Sequence, residues 1–234
     1  MTTAIILAGG LGTRLREAVP DLPKPMAPIN GRPFMEFQMD YWIKQGVQKF
    51  IISVGYLYEI IMDHFGTSYQ GIPIEYAIEK TPLGTGGGLI LATKSLSEHE
   101  PFLLLNGDTF FEVDLETLLN FHKEKRSDWT FSLFGTNEVG RYMGMDVAED
   151  GRILSLKSES VAVGQLANGG VYLLAPSVLK QFDSQADVKL SLEDDILPTI
   201  MNTNGVLYGV ECRGRFIDIG IPDDYFRAAE VIPQ

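Results

Sequence analysis

The chain has 234 residues, of which 45% are hydrophobic, and this length and composition suit one α/β domain with a full core rather than a disordered segment. Its formal net charge of −12 at pH 7 argues against a general nucleic-acid surface or an anionic-membrane surface, since both require a broad positive field. The sequence lacks an apolar run long enough to span a membrane, it has a single cysteine (Cys212), and its N-terminus lacks the features of a signal peptide, so we expect a soluble, cytoplasmic protein.

Short apolar runs alternate with helical patterns along the first part of the chain. Ala4 to Ala8 is a continuous apolar run closed by Gly9-Gly10, which predicts a strand buried on both faces. Pro33 then opens a stretch with aromatic residues at helical spacing, and Gly46 stands where a left-handed helix stop belongs. The same patterns predict strands over residues 50–54, 74–78, 102–105 and 130–134, and helices over residues 33–45, 57–65, about 87–94 and about 115–125.

Beyond residue 141 the predicted elements become shorter. We expect strands over residues 145–147, 153–156, 171–174, 206–210 and 216–219, and helices near residues 176–182 and 190–201. Alternating strands and helices predict an α/β fold with a doubly wound, mostly parallel, Rossmann-like sheet and a C-terminal extension of that sheet. The sequence contains no internal repeat or linker, so we expect a single domain over residues 1–234.

A glycine-rich turn, Leu7-Ala-Gly-Gly-Leu-Gly-Thr-Arg-Leu15, follows the first strand. Glycines let backbone N–H groups approach phosphate oxygens, and Thr13 and Arg14 add a hydroxyl group and a positive charge. The dinucleotide fingerprint requires glycine where Leu15 stands, and the P-loop requires Lys-Ser/Thr after Gly12, so neither of these motifs fits. The alternative is an ordinary tight turn, which has no need of three glycines followed by arginine. We interpret the turn as a phosphate-binding loop.

Lys24 lies between Pro23 and Pro25, which restrict its backbone to extended conformations. Taken alone it is more typical of a surface lysine. Its place in the loop that follows the glycine-rich turn favours a second cation for the same polyphosphate.

Two aspartates follow predicted strands. Asp108 ends the sequence Asn106-Gly107-Asp108, and Asp218 follows Phe216-Ile217. Open α/β sheets bind ligands at the carboxyl ends of their strands, and two carboxylates brought together there would suit Mg²⁺ that bridges phosphates. Each aspartate could instead cap the next helix or turn. Their pairing follows from the expected fold and not from their spacing.

A second glycine-rich stretch, Glu79-Lys-Thr-Pro-Leu-Gly-Thr-Gly-Gly-Gly88, also follows a predicted strand. It could enclose a planar base, with Glu79 or backbone groups contacting the base edges. The alternative is a flexible turn into a helix.

In this order the motifs resemble those of the nucleoside-diphosphate-sugar pyrophosphorylases, the sugar 1-phosphate nucleotidyltransferases. The resemblance covers nearly the whole chain, because Asn168-Gly-Gly-Val-Tyr172 and Phe216-Ile-Asp-Ile-Gly-Ile-Pro222 extend it to the C-terminal half. Leu22 to Pro28 and Leu105 to Phe111 are most similar to D-glycero-α-D-manno-heptose 1-phosphate guanylyltransferases, with mannose 1-phosphate guanylyltransferases close behind.

The resemblance implies an enzyme that uses GTP, a sugar 1-phosphate and Mg²⁺ to make a GDP-sugar and pyrophosphate. Because a sugar 1-phosphate is itself a nucleophile, this reaction needs positioning and charge neutralisation rather than a protein nucleophile. It also implies a nucleotide-binding half over about residues 1–135 and a sugar-binding half over about residues 136–234. It assigns charge stabilisation to Arg14 and Lys24, the metal to Asp108 and Asp218, the nucleotide to Leu7, Ala8, Gly9, Gly10, Gly12, Thr13, Glu79, Pro82, Gly84, Thr85 and Asn106, and the sugar to Gly144, Lys157, Asn168 and Gly169.

Two stretches depart from the family pattern. Relatives usually carry Phe-x-Glu-Lys, whose lysine meets the sugar phosphate, where this chain has Leu156-Lys-Ser-Glu159, so Lys157 is the candidate substitute. Many relatives have Arg-Tyr-Gly where this chain has Arg141-Tyr-Met-Gly144. The sugar is therefore less well specified than the reaction class. Several alternatives stay open: mannose 1-phosphate as the acceptor, UTP, dTTP or CTP as the donor, and a non-catalytic nucleotide-sugar-binding module. The oligomeric state also stays open, and the alternatives for it include a homo-oligomer.

Overall fold

The computed structural model describes residues 2–96, 100–136, 142, 144–158, 164–185 and 187–233. Its strands are β1 (Thr3–Ala8), β2 (Pro28–Ile29), β3 (Arg32–Pro33), β4 (Lys49–Val54), β5 (Ser68–Tyr69), β6 (Ile72–Ile78), β7 (Phe102–Asn106), β8 (Thr109–Phe111), β9 (Trp129–Thr136), β10 (Asp146–Val147), β11 (Ile153–Ser155), β12 (Gln165–Leu174), β13 (Leu207–Glu211) and β14 (Phe216–Asp218). Its α-helices are α1 (Phe34–Lys44), α2 (Tyr58–Phe65), α3 (Gly84–Thr93), α4 (Leu115–Lys125), α5 (Leu197–Asn202) and α6 (Pro222–Val231). A 3-10 turn (Lys24–Met26), a 3-10 segment (Pro176–Gln185) and a π-helical turn (Leu192–Ile196) complete the elements.

In the described ranges, eight strands form one sheet in the order β13-β9-β12-β7-β1-β4-β6-β5. β1 lies between β7 and β4 and pairs parallel with both, and the β4–β6 and β9–β13 pairs are also parallel. β12 runs antiparallel to both β7 and β9. The predicted α/β class with a mostly parallel, Rossmann-like sheet is confirmed. Strands from the C-terminal half lie inside the sheet (β12) and at its edge (β13), so both halves share one sheet.

Helices cover both faces of the sheet. Ile6 of β1 joins a core with α1 and α4, whereas Ile5 joins a second core with α3 and α5 on the opposite face. Both isoleucines are fully buried, as the continuous apolar run predicts. None of the helices in the described part of the chain is both long and apolar enough to cross a membrane.

In the first part of the chain the predicted helices differ from the observed ones mainly at their ends. The helix predicted near residues 176–182 is a 3-10 segment, and the one predicted over residues 190–201 is a π-helical turn followed by α5. Gly46 lies two residues beyond the end of α1 and has φ +97°, a positive φ that glycine adopts readily where a helix ends. The helix predicted from about residue 87 begins at Gly84, because three glycines let the first turn of α3 pack closely against the backbone of Leu190. α6 was not predicted, although Pro222 in its first turn and the acidic residues beside it are typical of a helix start.

His122 is a buried titratable residue of α4. Its Nδ1 lies 2.9 Å from the hydroxyl oxygen of Thr130, and burial lowers the pKa of His122 to about 4. The folded protein therefore keeps this ring neutral at a pH where the ring in the unfolded chain is already protonated.

We predict that acid weakens the fold through His122. The ring in the unfolded chain binds a proton near pH 6.5, whereas the buried ring binds one only near pH 4. The free energy of unfolding therefore falls as the pH drops from about 6.5 towards 4, and the loss is about 2 kcal/mol at pH 5. Urea unfolding at pH 7 and pH 5 measures the difference, and the His122→Gln variant should lose a smaller free energy of unfolding over this interval. An equal loss in variant and wild type would contradict the prediction.

Candidate active site

A cavity of about 490 Å³ opens at the carboxyl edge of the sheet, where β1, β4, β6 and β7 end. Its walls come from the glycine-rich loop after β1, the loop after β6, the β7–β8 turn and the segment before α5. Most of the residues predicted from the sequence line it, and these are Leu7, Ala8, Gly9, Gly10, Gly12, Arg14, Lys24, Glu79, Pro82, Gly84, Thr85, Asn106, Asp108 and Asp218.

The glycine-rich loop presents unused backbone donors. Within the described residues, the backbone N–H groups of residues 10–14 donate no hydrogen bond to the protein. Gly12 has φ +60°, and a side chain at Gly9 would overlap the carboxylate of Glu79. A ligand can therefore approach the loop backbone closely and accept hydrogen bonds from its free N–H groups, which is what binding of a phosphate group requires.

Asp108 and Asp218 lie together, as the fold-based prediction expects. β14 pairs antiparallel with β8, and the N–H of Ile219 donates to the carbonyl of Asp108 at 2.9 Å. Burial raises the pKa of Asp218, and the neighbouring charge of Asp108 raises it further, while Lys24 and Arg14 oppose this shift. The two carboxylates thus repel each other at one point of the cavity.

Lys24 and Arg14 supply the positive charge at this point. The Lys24 Nζ donates to Asp108 Oδ2 at 2.7 Å, and a Cβ built on Gly220 would lie 3.5 Å from Arg14 Nη2. Gly220 in turn donates its N–H to Asp218 Oδ1 at 2.6 Å, so Arg14 borders that aspartate.

The donor set at Asp108 and Asp218 fits a magnesium ion. Mg²⁺ commonly takes one or two carboxylates and completes its shell with water and substrate phosphates. Among the residues that the structure describes, no group of three or more His, Cys, Asp or Glu side chains could hold a metal ion. The two neighbouring aspartates beside the glycine-rich loop therefore offer two carboxylates to a divalent cation and leave its other positions to water and ligand oxygens.

The loop after β6 forms the wall beside the glycine-rich loop, since a Cβ on Gly9 would overlap the Glu79 carboxylate. Glu79 Oε2 accepts the N–H of Leu83 at 2.9 Å, and Glu79 Oε1 accepts the Ser53 hydroxyl at 3.3 Å. Burial raises the pKa of Glu79, and these two donors oppose the shift. Glu79 therefore stabilises its loop through these two hydrogen bonds, and it also lines the cavity.

Five of the predicted residues do not line the cavity: Thr13, Gly144, Lys157, Asn168 and Gly169. Lys157 is 62% exposed, with its Nζ 3.5 Å from Asp194 Oδ1. Asn168 donates its amide to the Tyr172 hydroxyl at 2.8 Å, and Gly169 packs against the ring of Phe111. Gly144 forms an isolated bridge with Ala167, and Arg141, Met143 and Glu159 of the two departing stretches lie outside the described residues.

Lys189 and Glu193 line the cavity but were not predicted. Thr85 donates its hydroxyl to Glu193 Oε2 at 3.1 Å, and Leu190 exchanges backbone hydrogen bonds with residues 83 and 86. This packing brings a segment about one hundred residues away in sequence onto the start of α3. The other residues that sequence reasoning missed are Leu11, Pro25, Ser53 and Gly107.

A family model, curated relatives and a solved structure all match this chain over nearly its whole length. The model of the nucleotidyl transferase family matches residues 3–234. The D-glycero-alpha-D-manno-heptose 1-phosphate guanylyltransferase of Aneurinibacillus thermoaerophilus is 42% identical over 225 residues, which are 96% of each chain. The protein of the same name from Campylobacter jejuni is 40% identical, over 95% of this chain and 96% of its own. The crystal structure of HddC from Yersinia pseudotuberculosis complexed with GMP-PN is 35% identical and has a TM-score of 0.86, with 98% of this chain and 99% of that chain covered.

Proposed function

The chain belongs to the nucleotidyl transferase family, and we propose that it transfers the GMP group of GTP to D-glycero-α-D-manno-heptose 1-phosphate. The products are the GDP-sugar and pyrophosphate. One structural observation carries the reaction class: a loop with unused N–H donors faces two cations and two neighbouring carboxylates in the same cavity. The sugar rests on the relatives of 42% and 40% identity, whose names give this substrate.

The chemistry is an in-line displacement at the α-phosphorus of GTP. A phosphate oxygen of the sugar 1-phosphate forms the new bond, the bond to the oxygen bridging to the β-phosphorus breaks, and pyrophosphate leaves with that electron pair. The free N–H groups of residues 10–14 would hold phosphate oxygens, and Arg14 and Lys24 would neutralise charge that grows on them. Asp108 and Asp218 would hold Mg²⁺, which when bound supplies further positive charge to the phosphates.

The loop from Glu79 to Thr85 would contact the guanine base. Guanine offers N–H donors along one edge, and a carboxylate or backbone carbonyl can accept them. Glu79 lines the cavity with its carboxylate already anchored by Ser53 and Leu83, so it is held in place before nucleotide arrives.

Fewer structural observations support the proposed sugar contacts than the proposed nucleotide contacts. Lys157, Asn168, Gly169 and Gly144 stay predictions for sugar contacts. We extend the proposal to Lys189 and Glu193, because both side chains line the cavity beside Thr85. The proposal keeps the division into a nucleotide-binding half and a sugar-binding half, and it includes a cytoplasmic location.

Mannose 1-phosphate is the second candidate acceptor. The mannose-1-phosphate guanylyltransferase catalytic subunit beta of Danio rerio is 34% identical over 95% of this chain, which spans 62% of that protein. The lower identity and the partial coverage place it behind the heptose phosphate.

A substrate grid tests the proposal. Pyrophosphate release is measured with Mg²⁺ for GTP, ATP, UTP, CTP and dTTP, each against the heptose, mannose and glucose 1-phosphates. We expect release with GTP and heptose 1-phosphate at a kcat/KM at least about tenfold above any other pair, the discrimination that one lost polar contact gives. Another active pair would reassign the substrate. Silence throughout, with GDP-heptose binding seen by calorimetry, would replace the enzyme with a binding module.

A further inference from the structure

Arg16 connects the glycine-rich loop to a neighbouring loop that does not line the cavity. Its guanidinium carbon lies 4.5 Å from the centre of the Tyr56 ring, a cation–π arrangement. Its Nε is buried and has no hydrogen-bond partner in the described part of the chain. The side chain is therefore held by the face of the ring and by packing, and not by a carboxylate.

Tyr56 lies in a tightly built turn. It follows Gly55, where a Cβ would come within 3.0 Å of the Gly9 carbonyl oxygen, and it precedes Leu57, which has φ +53°. α2 begins at the next residue, and β4 before the turn pairs along its whole length with β1. The Tyr56 ring therefore follows a strand that pairs with the central strand β1, and it lies beside the glycine-rich loop.

The glycine-rich loop has few other attachments. The N–H of Leu15 donates to the carbonyl of Gly12 at 3.1 Å, and the Leu15 side chain is buried in the core with Val19. Between Gly10 and Arg14 the backbone donates no hydrogen bond within the described residues. A contact at Arg16 therefore limits how far Arg14, two residues earlier, can move.

We propose that Arg16, stacked on Tyr56, is a positioning residue that holds the glycine-rich loop and Arg14 in the arrangement that receives the nucleotide phosphates. The effect on catalysis rests on the proposed function. The restraint itself is a property of the free protein and can be measured without substrate.

Amide hydrogen exchange of the free protein tests the restraint. Tyr56→Leu keeps an apolar side chain but removes the ring face, so exchange of the hydrogen-bonded amides of Leu15, Ala18 and Val19, at the end of the glycine-rich loop, should become about three- to tenfold faster. Tyr56→Phe keeps the face and should exchange like the wild type. Phe121→Leu is the matched control, since it removes a ring 5.6 Å from Lys125 Nζ on α4, away from the cavity. If Tyr56→Leu fails to fold, Arg16→Met, which removes the cation but keeps a long side chain, takes its place.

Steady-state kinetics test the consequence. We expect the KM for GTP to rise about three- to tenfold in Tyr56→Leu and in Arg16→Met, with the KM for the sugar 1-phosphate unchanged and no further rise in the double variant. Additive effects of the two changes, or wild-type exchange in Tyr56→Leu, would overturn the proposal. A failure of the proposed function shows itself separately, as an inactive substrate grid with the exchange effect intact.

Discussion

Replacing Asp108 or Asp218 with asparagine is expected to lower the rate of pyrophosphate release by about a thousandfold at ordinary Mg²⁺ concentrations. Each aspartate supplies one of the two carboxylates that face each other at the cavity, and an amide oxygen is a weaker ligand for a hard cation. Rates measured over a range of Mg²⁺ concentrations check the prediction. Asp183→Asn, an exposed carboxylate away from the cavity, is the control and should retain the wild-type rate.

Thermal denaturation separates loss of metal binding from loss of structure. Burial and the charge of Asp108 raise the pKa of Asp218, so the ionised carboxylate is unfavourable in the protein without metal. Asp218→Asn should therefore unfold at the same temperature as the wild type or a higher one when no divalent cation is present. Mg²⁺ with nucleotide should raise the unfolding temperature of the wild type and have little effect on the variant. A variant that keeps its activity would place the metal elsewhere.

Most of the residues assigned to the nucleotide line the cavity, and the signals that point to them are local in the sequence. A buried strand followed by glycines and an arginine describes a phosphate-binding loop within nine residues, and the free N–H groups of residues 10–14 agree with that interpretation. The pairing of Asp108 with Asp218 needed the fold as well. It depends on β14 lying against β8, a contact between residues about one hundred positions apart that no spacing encodes.

None of the four residues assigned to the sugar lines the cavity. The departing motif points to Lys157 as a sugar contact, and in the structure its ammonium group lies beside the exposed Asp194. Lys189 and Glu193 carry no motif, and they reach the cavity only because Leu190 bonds to the backbone at the start of α3. Contacts of this kind come from tertiary packing, which a lone lysine or glutamate in a sequence does not reveal.

Arg14→Ala is expected to lower kcat by about a hundredfold or more, the usual effect of losing one charge contact made in the transition state. The side chain lines the cavity next to Asp218, where charge on the reacting phosphates has to be neutralised. Because that charge shifts during transfer, the loss should fall more on kcat than on the KM for GTP. Arg14→Lys keeps a positive charge without the planar fork and should recover part of the rate.

A matched arginine outside the cavity makes this result specific. Arg213 is 88% exposed and paired at 3.5 Å with Glu211, so Arg213→Ala removes the same charge from the protein without touching the site. Its rate should stay at the wild-type level, which shows that net charge alone does not govern turnover. Near-normal kcat in Arg14→Ala, with the Arg213 control also normal, would remove Arg14 from the reaction and leave Lys24 as the cation that acts there.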